Sequence, residues 1–190
     1  HSPPEGEKVG INKQMAMFAF IAPSSSSEVL KKIVLEDSVL IKDIMLNPLQ
    51  IFRGNYARVF VNGHLLGYVL DSIEFVNRYR KKRRQLEIDP YTTVYWDNVQ
   101  NEIQLFVDMG RMCRPLLIVY NNLRDNNIVK MSNGERFTQG LAITQDDIIS
   151  LYKKEKNIDD LLKEQKIEYI TPEEQECMLL CSSFEKLKID

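Results

Sequence analysis

The sequence predicts an α+β chain of two small mixed domains built from β-hairpins and short helices, as a fragment of a larger multidomain protein. Three observations carry that expectation. Residues 56–69, YARVFVNGHLLGYV, set two β-rich runs on either side of Asn62-Gly63, the dipeptide that best accommodates the positive φ angles of a two-residue hairpin turn. Residues 71–86 carry Ile73, Val76 and Tyr79 at helical spacing among charges and end in the basic run 80–84, RKKRR. After LLIVY the composition changes abruptly to NNLRDNN, which predicts a domain boundary near Asn121 to Asn127.

The remaining elements follow in chain order. The short apolar run Met15 to Ile21 reads as a strand, with a helix as the alternative, because it is apolar on both faces. Pro23 and the serines to Ser27 break it, and a serine there can cap a helix from Glu28 to about Leu35. Tyr91 to Tyr95 and Gln104 to Val107 read as a second strand pair joined through Asp97-Asn98. Gln145 to Lys154 and Asn157 to Lys166 read as helices, the second with Ile158, Leu161 and Leu162 on one apolar face, followed by a short strand at Ile167 to Ile170.

Composition narrows the function classes. Apolar residues at 44% and charged residues at 27% of 190 support a packed core and not a disordered chain. With 25 Lys and Arg against 27 Asp and Glu, the net charge of −2 advertises no polyanion, so any basic site is local. No run approaches the length of a membrane span, and three cysteines, an odd count, predict reduced thiols in place of a disulfide framework. The chain begins His1-Ser2 and reads as a piece cut from a longer protein, with a tag remnant at His1 as one origin.

Several constellations invite chemistry. Cys113 with His64 could form a nucleophilic dyad, and Arg111 and Arg114 would lower the thiol pKa if all three faced one pocket. Strand alternation puts Arg111 and Cys113 on one face and Arg114 on the other, whereas His64 beside a hairpin tip reads as an exposed turn residue. Cys177 and Cys181 would share a helix face, but two further zinc ligands are wanting and buried apolar thiols are the simpler reading. The run 78–84, RYRKKRR, could neutralise phosphates or dock an acidic partner; the alternative is a solvated face of an amphipathic helix.

Four collinear strings resemble one family. PPEGEKVGINKQMA resembles E-T-P-E-G-x-x-x-G-L-x-K-N-L-A, matching at Pro4, Glu5, Gly6, Gly10, Lys13 and Ala16. VFVNGHLLGYV looks like V-F-V-N-G-x-x-x-G, with Asn62 and Gly63 in place. LFVDMGRMCRPLLIV is similar to F-x-D-x-G-R-x-x-R-P-L-x-I-V through Asp108, Gly110, Arg111, Arg114 and Pro115. LLKEQKIEYITPEEQE resembles L-L-x-x-G-x-x-E-Y-I-D-A-E-E-E-E, matching at Glu168, Tyr169, Ile170, Glu173, Glu174 and Glu176. The family is the second-largest, beta-type subunit of multisubunit DNA-directed RNA polymerase, in its archaeal, eukaryotic or large-DNA-virus form.

The resemblance implies the end of the fork region over residues 1–22, an external 1-like domain over 23–120 and an external 2-like domain over 121–190. It implies an active-centre-facing turn at Pro4, Glu5 and Gly6, with Lys13 supporting the backbone beside the RNA–DNA hybrid. Asn62, Gly63, Asp108, Gly110, Arg111, Arg114, Glu168 and Tyr169 are expected to be structural, with Asp108 the nearest partner for the arginines. The acidic 172–176 stretch would pack internally or face another subunit. No catalytic residue, metal ligand or cofactor is expected in this chain; Mg²⁺ is expected on the largest subunit. The implied partners are that subunit, the other polymerase subunits, the DNA template and the RNA–DNA hybrid, with no membrane, in a nucleus or in a viral factory and virion. Ser2-Pro3, Asn12, Gln14 and Thr171-Pro172 depart from the motifs, and with abundant Ile, Lys and Asn they suggest a large cytoplasmic DNA virus. A free-standing interaction module using the basic helix is the alternative.

Overall fold

A computed structural model describes residues 15–41, 56–121 and 139–178, together with residues 6, 49, 180 and 181. Within these residues the chain runs β1 (Phe20–Ile21), α1 (Ser27–Leu35), β2 (Ala57–Val61), β3 (His64–Val69), α2 (Ser72–Arg84), β4 (Thr93–Asp97), β5 (Glu102–Phe106), β6 (Met112–Leu117), β7 (Val119–Asn121), β8 (Gln139–Leu141), α3 (Gln145–Tyr152), α4 (Ile158–Lys163), β9 (Ile167–Ile170) and α5 (Pro172–Glu176). The α+β class is as expected, and most of the expected boundary at 121–127 lies outside the described residues.

The central sheet has the order β3-β2-β5-β4. Asn62 (φ +48°) and Gly63 (φ +78°) make the turn that folds β2 onto β3 in antiparallel register, Val61 facing His64. A bulge between Val59 and Phe60 shifts that register along the hairpin. β2 then pairs in parallel with β5, Val59 facing Ile103 and Val61 facing Leu105. β5 closes antiparallel on β4, with Val94 opposite Leu105. Asp97 shapes the intervening turn, its Oδ1 accepting from the amides of Val99 (2.8 Å) and Gln100 (3.1 Å).

Alternation puts Ala57, Val59, Val61, Val94, Ile103 and Leu105 on one sheet face, all fully buried. Leu30 and Val34 of α1 and Phe75, Val76 and Tyr79 of α2 join them in a single core. Each large side chain there contributes about 1.5–3 kcal/mol by leaving water. Gly67 is required because a Cβ on it would meet the Ile41 carbonyl oxygen at 2.5 Å, where residue 41 bridges to Tyr68 with two 2.8 Å backbone bonds.

A second sheet, β1-β6-β9, joins segments distant in sequence. Phe20 pairs with Cys113, and Arg114 to Leu117 pair with Ile170 to Ile167. β1 is shorter than the strand expected from Met15, because an Ala19 amide to Ala16 carbonyl bond (2.9 Å) bends residues 17–18 into a turn. β7 and β8 form a separate antiparallel pair.

Thr144 and Asp147 cap α3 reciprocally, and Asn157 and Asp160 do the same for α4. Asp147 also accepts from Lys156 (3.0 Å) and Lys166 (2.7 Å), which fixes α3 against the start of β9. Of the expected apolar face of α4 only Leu161 is buried; Ile158 is exposed, because the helix is little more than one turn and shows a single position to β9.

Candidate functional site

A buried charge cluster in the described fold is built from α2, β9 and α5. Asp71 caps α2 by accepting from the Glu74 amide (2.9 Å), and Ser72, Phe75, Val76, Tyr79 and Arg83 form its buried stripe. Arg83 is thereby carried into the interior at 2% exposure. Its Nη1 donates to the Thr92 carbonyl (2.7 Å) and to both Glu174 oxygens (2.7 and 2.9 Å), and its Nη2 to Glu168 (3.2 Å). Glu174, fully buried on α5, also accepts from the Val94 amide of β4.

Arg84, one residue on and half exposed, forks onto the same Glu168 through Nε (3.0 Å) and Nη2 (2.8 Å). Two guanidinium groups thus face two carboxylates, and the Arg80 guanidinium acts on the same four groups through space. Burial alone would lower the Arg83 pKa, but Glu174 and Glu168 outweigh it and hold the guanidinium above its ordinary value. Burial likewise works against the Glu168 carboxylate, and Arg84 and Arg83 reverse the effect and hold it below the usual range.

These contacts correct the expectation that the basic run is a solvated helix face. Lys81 is exposed and Lys82 lies over the Tyr79 ring at 5.0 Å, but Arg83 follows the apolar stripe inward and Arg84 is committed to Glu168. The run is therefore unavailable as one continuous phosphate-binding or partner-docking surface. Arg78 is engaged as well, by Asp37 (2.9 Å) and Glu74 (2.6 Å). The acidic stretch is divided in the same way, with Glu174 packed internally while Glu173 and Glu176 face outward.

A second polar node holds the tip of the central sheet. Arg111 donates Nε to the Asp108 carbonyl (2.7 Å) and Nη1 to the Tyr91 carbonyl (2.9 Å) and the Thr93 hydroxyl. It is the Asp108 main chain, not its carboxylate, that Arg111 takes. The carboxylate instead accepts from Asn62 Nδ2 at 2.7 Å, while Asn62 Oδ1 accepts from the Val107 amide at 3.0 Å. Gly110 turns the chain between them with φ +85°. Arg114 is exposed on β6 opposite Ile170. Tyr169 packs at a tilt against Tyr91 (4.9 Å) and Phe20 (5.7 Å), whose own rings stack on each other at 5.2 Å.

Gly6 is exposed with φ +87°, whereas Pro4, Glu5 and Lys13 lie outside the described residues. The Cys113 thiol is buried, donates to the Phe20 carbonyl (3.4 Å), and is pushed up in pKa by burial against the opposing pull of Arg111. That is the reverse of an activated nucleophile. Cys177 follows the last residue of α5, so the helix expected to align it with Cys181 ends at Glu176. Among the described residues no group of three or more His, Cys, Asp or Glu side chains is placed to hold a metal ion. A cleft of about 300 Å³ between α1 and the 86–92 turn contains Glu87 and Asp89 and none of the expected site residues.

The arrangement binds elements to one another through its buried charged groups. It defines an ion-pair-braced structural module. Residues 59–120 match the family described as RNA polymerase Rpb2, domain 4. The chain is 31% identical over 183 residues to the DNA-directed RNA polymerase subunit Rpo2 of Saccharolobus solfataricus, covering 91% of this chain and 15% of the relative. It is 30% identical over 178 residues to the DNA-directed RNA polymerase II subunit RPB2 of Encephalitozoon cuniculi, covering 93% of this chain and 14% of that protein. Identity to the DNA-directed RNA polymerase III subunit RPC2 of Saccharomyces cerevisiae is 31% over 139 residues, 70% of this chain and 12% of the relative. The chain belongs with the second-largest subunits of the DNA-directed RNA polymerases and spans about one seventh of the length of these relatives.

Proposed function

We propose that the chain serves DNA-templated RNA synthesis as a scaffold portion of the second-largest polymerase subunit. The observation that carries this reading is the collinear match of nine-tenths of the chain to such subunits from an archaeon and a eukaryote. The dense internal pairing of Arg83, Arg84, Arg111, Glu168 and Glu174 supports a bracing role for the described residues. In this reading residues 1–22 end the fork, 23–120 form external domain 1 and 121–190 external domain 2.

The turn at Pro4, Glu5 and Gly6, with Lys13, faces the active centre. There Glu5 holds a neighbouring basic group and Lys13 supports the hybrid-facing backbone by charge-assisted hydrogen bonds. The reacting oxygens are handled by Mg²⁺ held on the largest subunit, which with the other subunits, the DNA template and the RNA–DNA hybrid completes the partner set. The source is a large DNA virus, with transcription in its factory and virion.

Affinity purification through a tag on the gene product containing this chain tests the proposal. A complex that incorporates ribonucleoside triphosphates only with DNA present is expected; a tagged product that purifies alone and inactive would end it. Within the complex, Glu5→Lys or Lys13→Glu should slow elongation, and unchanged transcript synthesis would remove the active-centre role of the turn.

A further inference from the structure

Asn62-Gly63 is the dipeptide in which the backbone nitrogen of the second residue most easily reaches the side-chain carbonyl of the first, since glycine offers no side chain to obstruct it. The reaction needs only water. The Gly63 amide loses its proton to solvent and its nitrogen attacks Asn62 Cγ. The side-chain nitrogen leaves as ammonia, carrying a solvent proton, and a five-membered imide closes. Water then opens either imide carbonyl, giving aspartate or isoaspartate at position 62. One water enters, one ammonia leaves, and nothing is oxidised or reduced.

In the folded chain every polar atom of Asn62 that must move is restrained. Nδ2 donates to Asp108 Oδ1 at 2.7 Å, and Oδ1 accepts from the Val107 amide at 3.0 Å. The Asn62 backbone amide donates to the Leu105 carbonyl at 2.9 Å, and its φ is fixed at +48° by the turn. The side-chain amide is therefore tied to the 107–108 segment and withheld from the Gly63 nitrogen that follows it.

We propose that Asn62-Gly63 is a latent deamidation site, held unreactive by the Asp108 carboxylate and exposed to reaction only when the tip of the β2–β3 hairpin opens. The product cannot return to the locked state. A carboxylate at position 62 would stand where Nδ2 now lies 2.7 Å from Asp108 Oδ1, replacing an attraction with a like-charge contact. A single modification would thus release the hairpin tip from the β5–β6 connection and leave it released. The modification rate reports local opening of that tip.

The test follows ammonia loss at Asn62 by peptide mapping of the intact chain in neutral buffer; mapping separates it from Asn133-Gly134, the other Asn-Gly of the sequence. A synthetic peptide spanning residues 59–66 gives the unrestrained rate. Folded wild-type chain should react at least about tenfold more slowly than the peptide, and Asp108→Ala should recover about tenfold of that protection, the effect of one charge-assisted bond on a local opening equilibrium. Asp108→Asn, which keeps an acceptor for Nδ2, should fall between. Wild-type reaction at the peptide's rate, or an Asp108→Ala rate equal to wild type, would overturn the proposal. If circular dichroism shows Asp108→Ala unfolded, Asp108→Asn against wild type decides: a faster Asn62 supports the clamp, and an unchanged one refutes it.

Discussion

Replacing Arg83 with methionine keeps the length of the side chain and removes its charge and its donors. Glu174, at 0% exposure, would then retain the Val94 amide among its described partners and lose the guanidinium that donated to both its oxygens. Glu168 would keep Arg84, and the Thr92 carbonyl would lose its donor. Stranding one member of a buried ion pair costs about 3–5 kcal/mol, whereas a domain of this kind has about 5–15 kcal/mol in total. Urea unfolding of the chain should therefore show Arg83→Met losing about 3–5 kcal/mol, a fifth or more of its stability, through a lower midpoint at constant slope. Removing the stranded charge should restore part of that loss: the double variant Arg83→Met/Glu174→Gln is expected about 1–2 kcal/mol more stable than Arg83→Met alone, since Gln still accepts from Val94. A loss below about 1 kcal/mol for Arg83→Met would refute the reasoning, for no buried pair could then be bracing α2 to α5.

Other outcomes follow from the same geometry. Arg84→Lys loses the two-pronged contact to Glu168 at a half-exposed position and should cost only about 0.5–1 kcal/mol, measured by the same unfolding curves. Gly67→Ala places a Cβ against the Ile41 carbonyl oxygen and should cost about 1–3 kcal/mol, read as a lower thermal midpoint; an unchanged midpoint would mean that residues 40–41 yield freely. Glu168, held below its usual 4.5, stays ionised in the folded state where the unfolded chain has begun to take up a proton. Its contribution is complete above that value and is lost as pH falls through the folded pKa, so stability should decline below about pH 4.5, and less steeply in Glu168→Gln. Iodoacetamide should label Cys177 and Cys181 before Cys113, which is 4% exposed with a raised pKa; first labelling at Cys113 would revive the thiol-nucleophile reading.

Local chemistry was the readable part of this sequence. Asn62-Gly63 names its own turn because few residues accept two successive positive φ angles, and the observed hairpin runs from Ala57 to Val69 as that dipeptide requires. The strand pair around Asp97, the helix after Asp71 and the strand at Ile167 are similarly local in origin. What could not be read was pairing across distance. Arg83 sits in a run of five basic residues, and nothing within the run distinguishes it from Lys82. A signal was present, because the stripe Phe75, Val76 and Tyr79 continues to position 83 and not to 81, but its partners stand 85 and 91 residues away. The partner of Asp108 was missed for the same reason: the sequence neighbour Arg111 takes its carbonyl, and the carboxylate belongs to Asn62, 46 residues earlier. The parallel β2–β5 pairing and the β1-β6-β9 sheet are also products of the tertiary fold, invisible to any window of a few residues.

The distinction between brace and reaction centre is most directly tested in the assembled polymerase. The gene product containing this chain, carrying Arg83→Met, would be purified through a partner subunit and compared with wild type for yield of complex and for RNA made per complex. A reduced yield with elongation per assembled complex within about twofold of wild type is expected, since the loss falls on folding stability and not on the transition state. Normal yield with elongation abolished would contradict the scaffold role and place the buried Arg83 cluster in the chemistry.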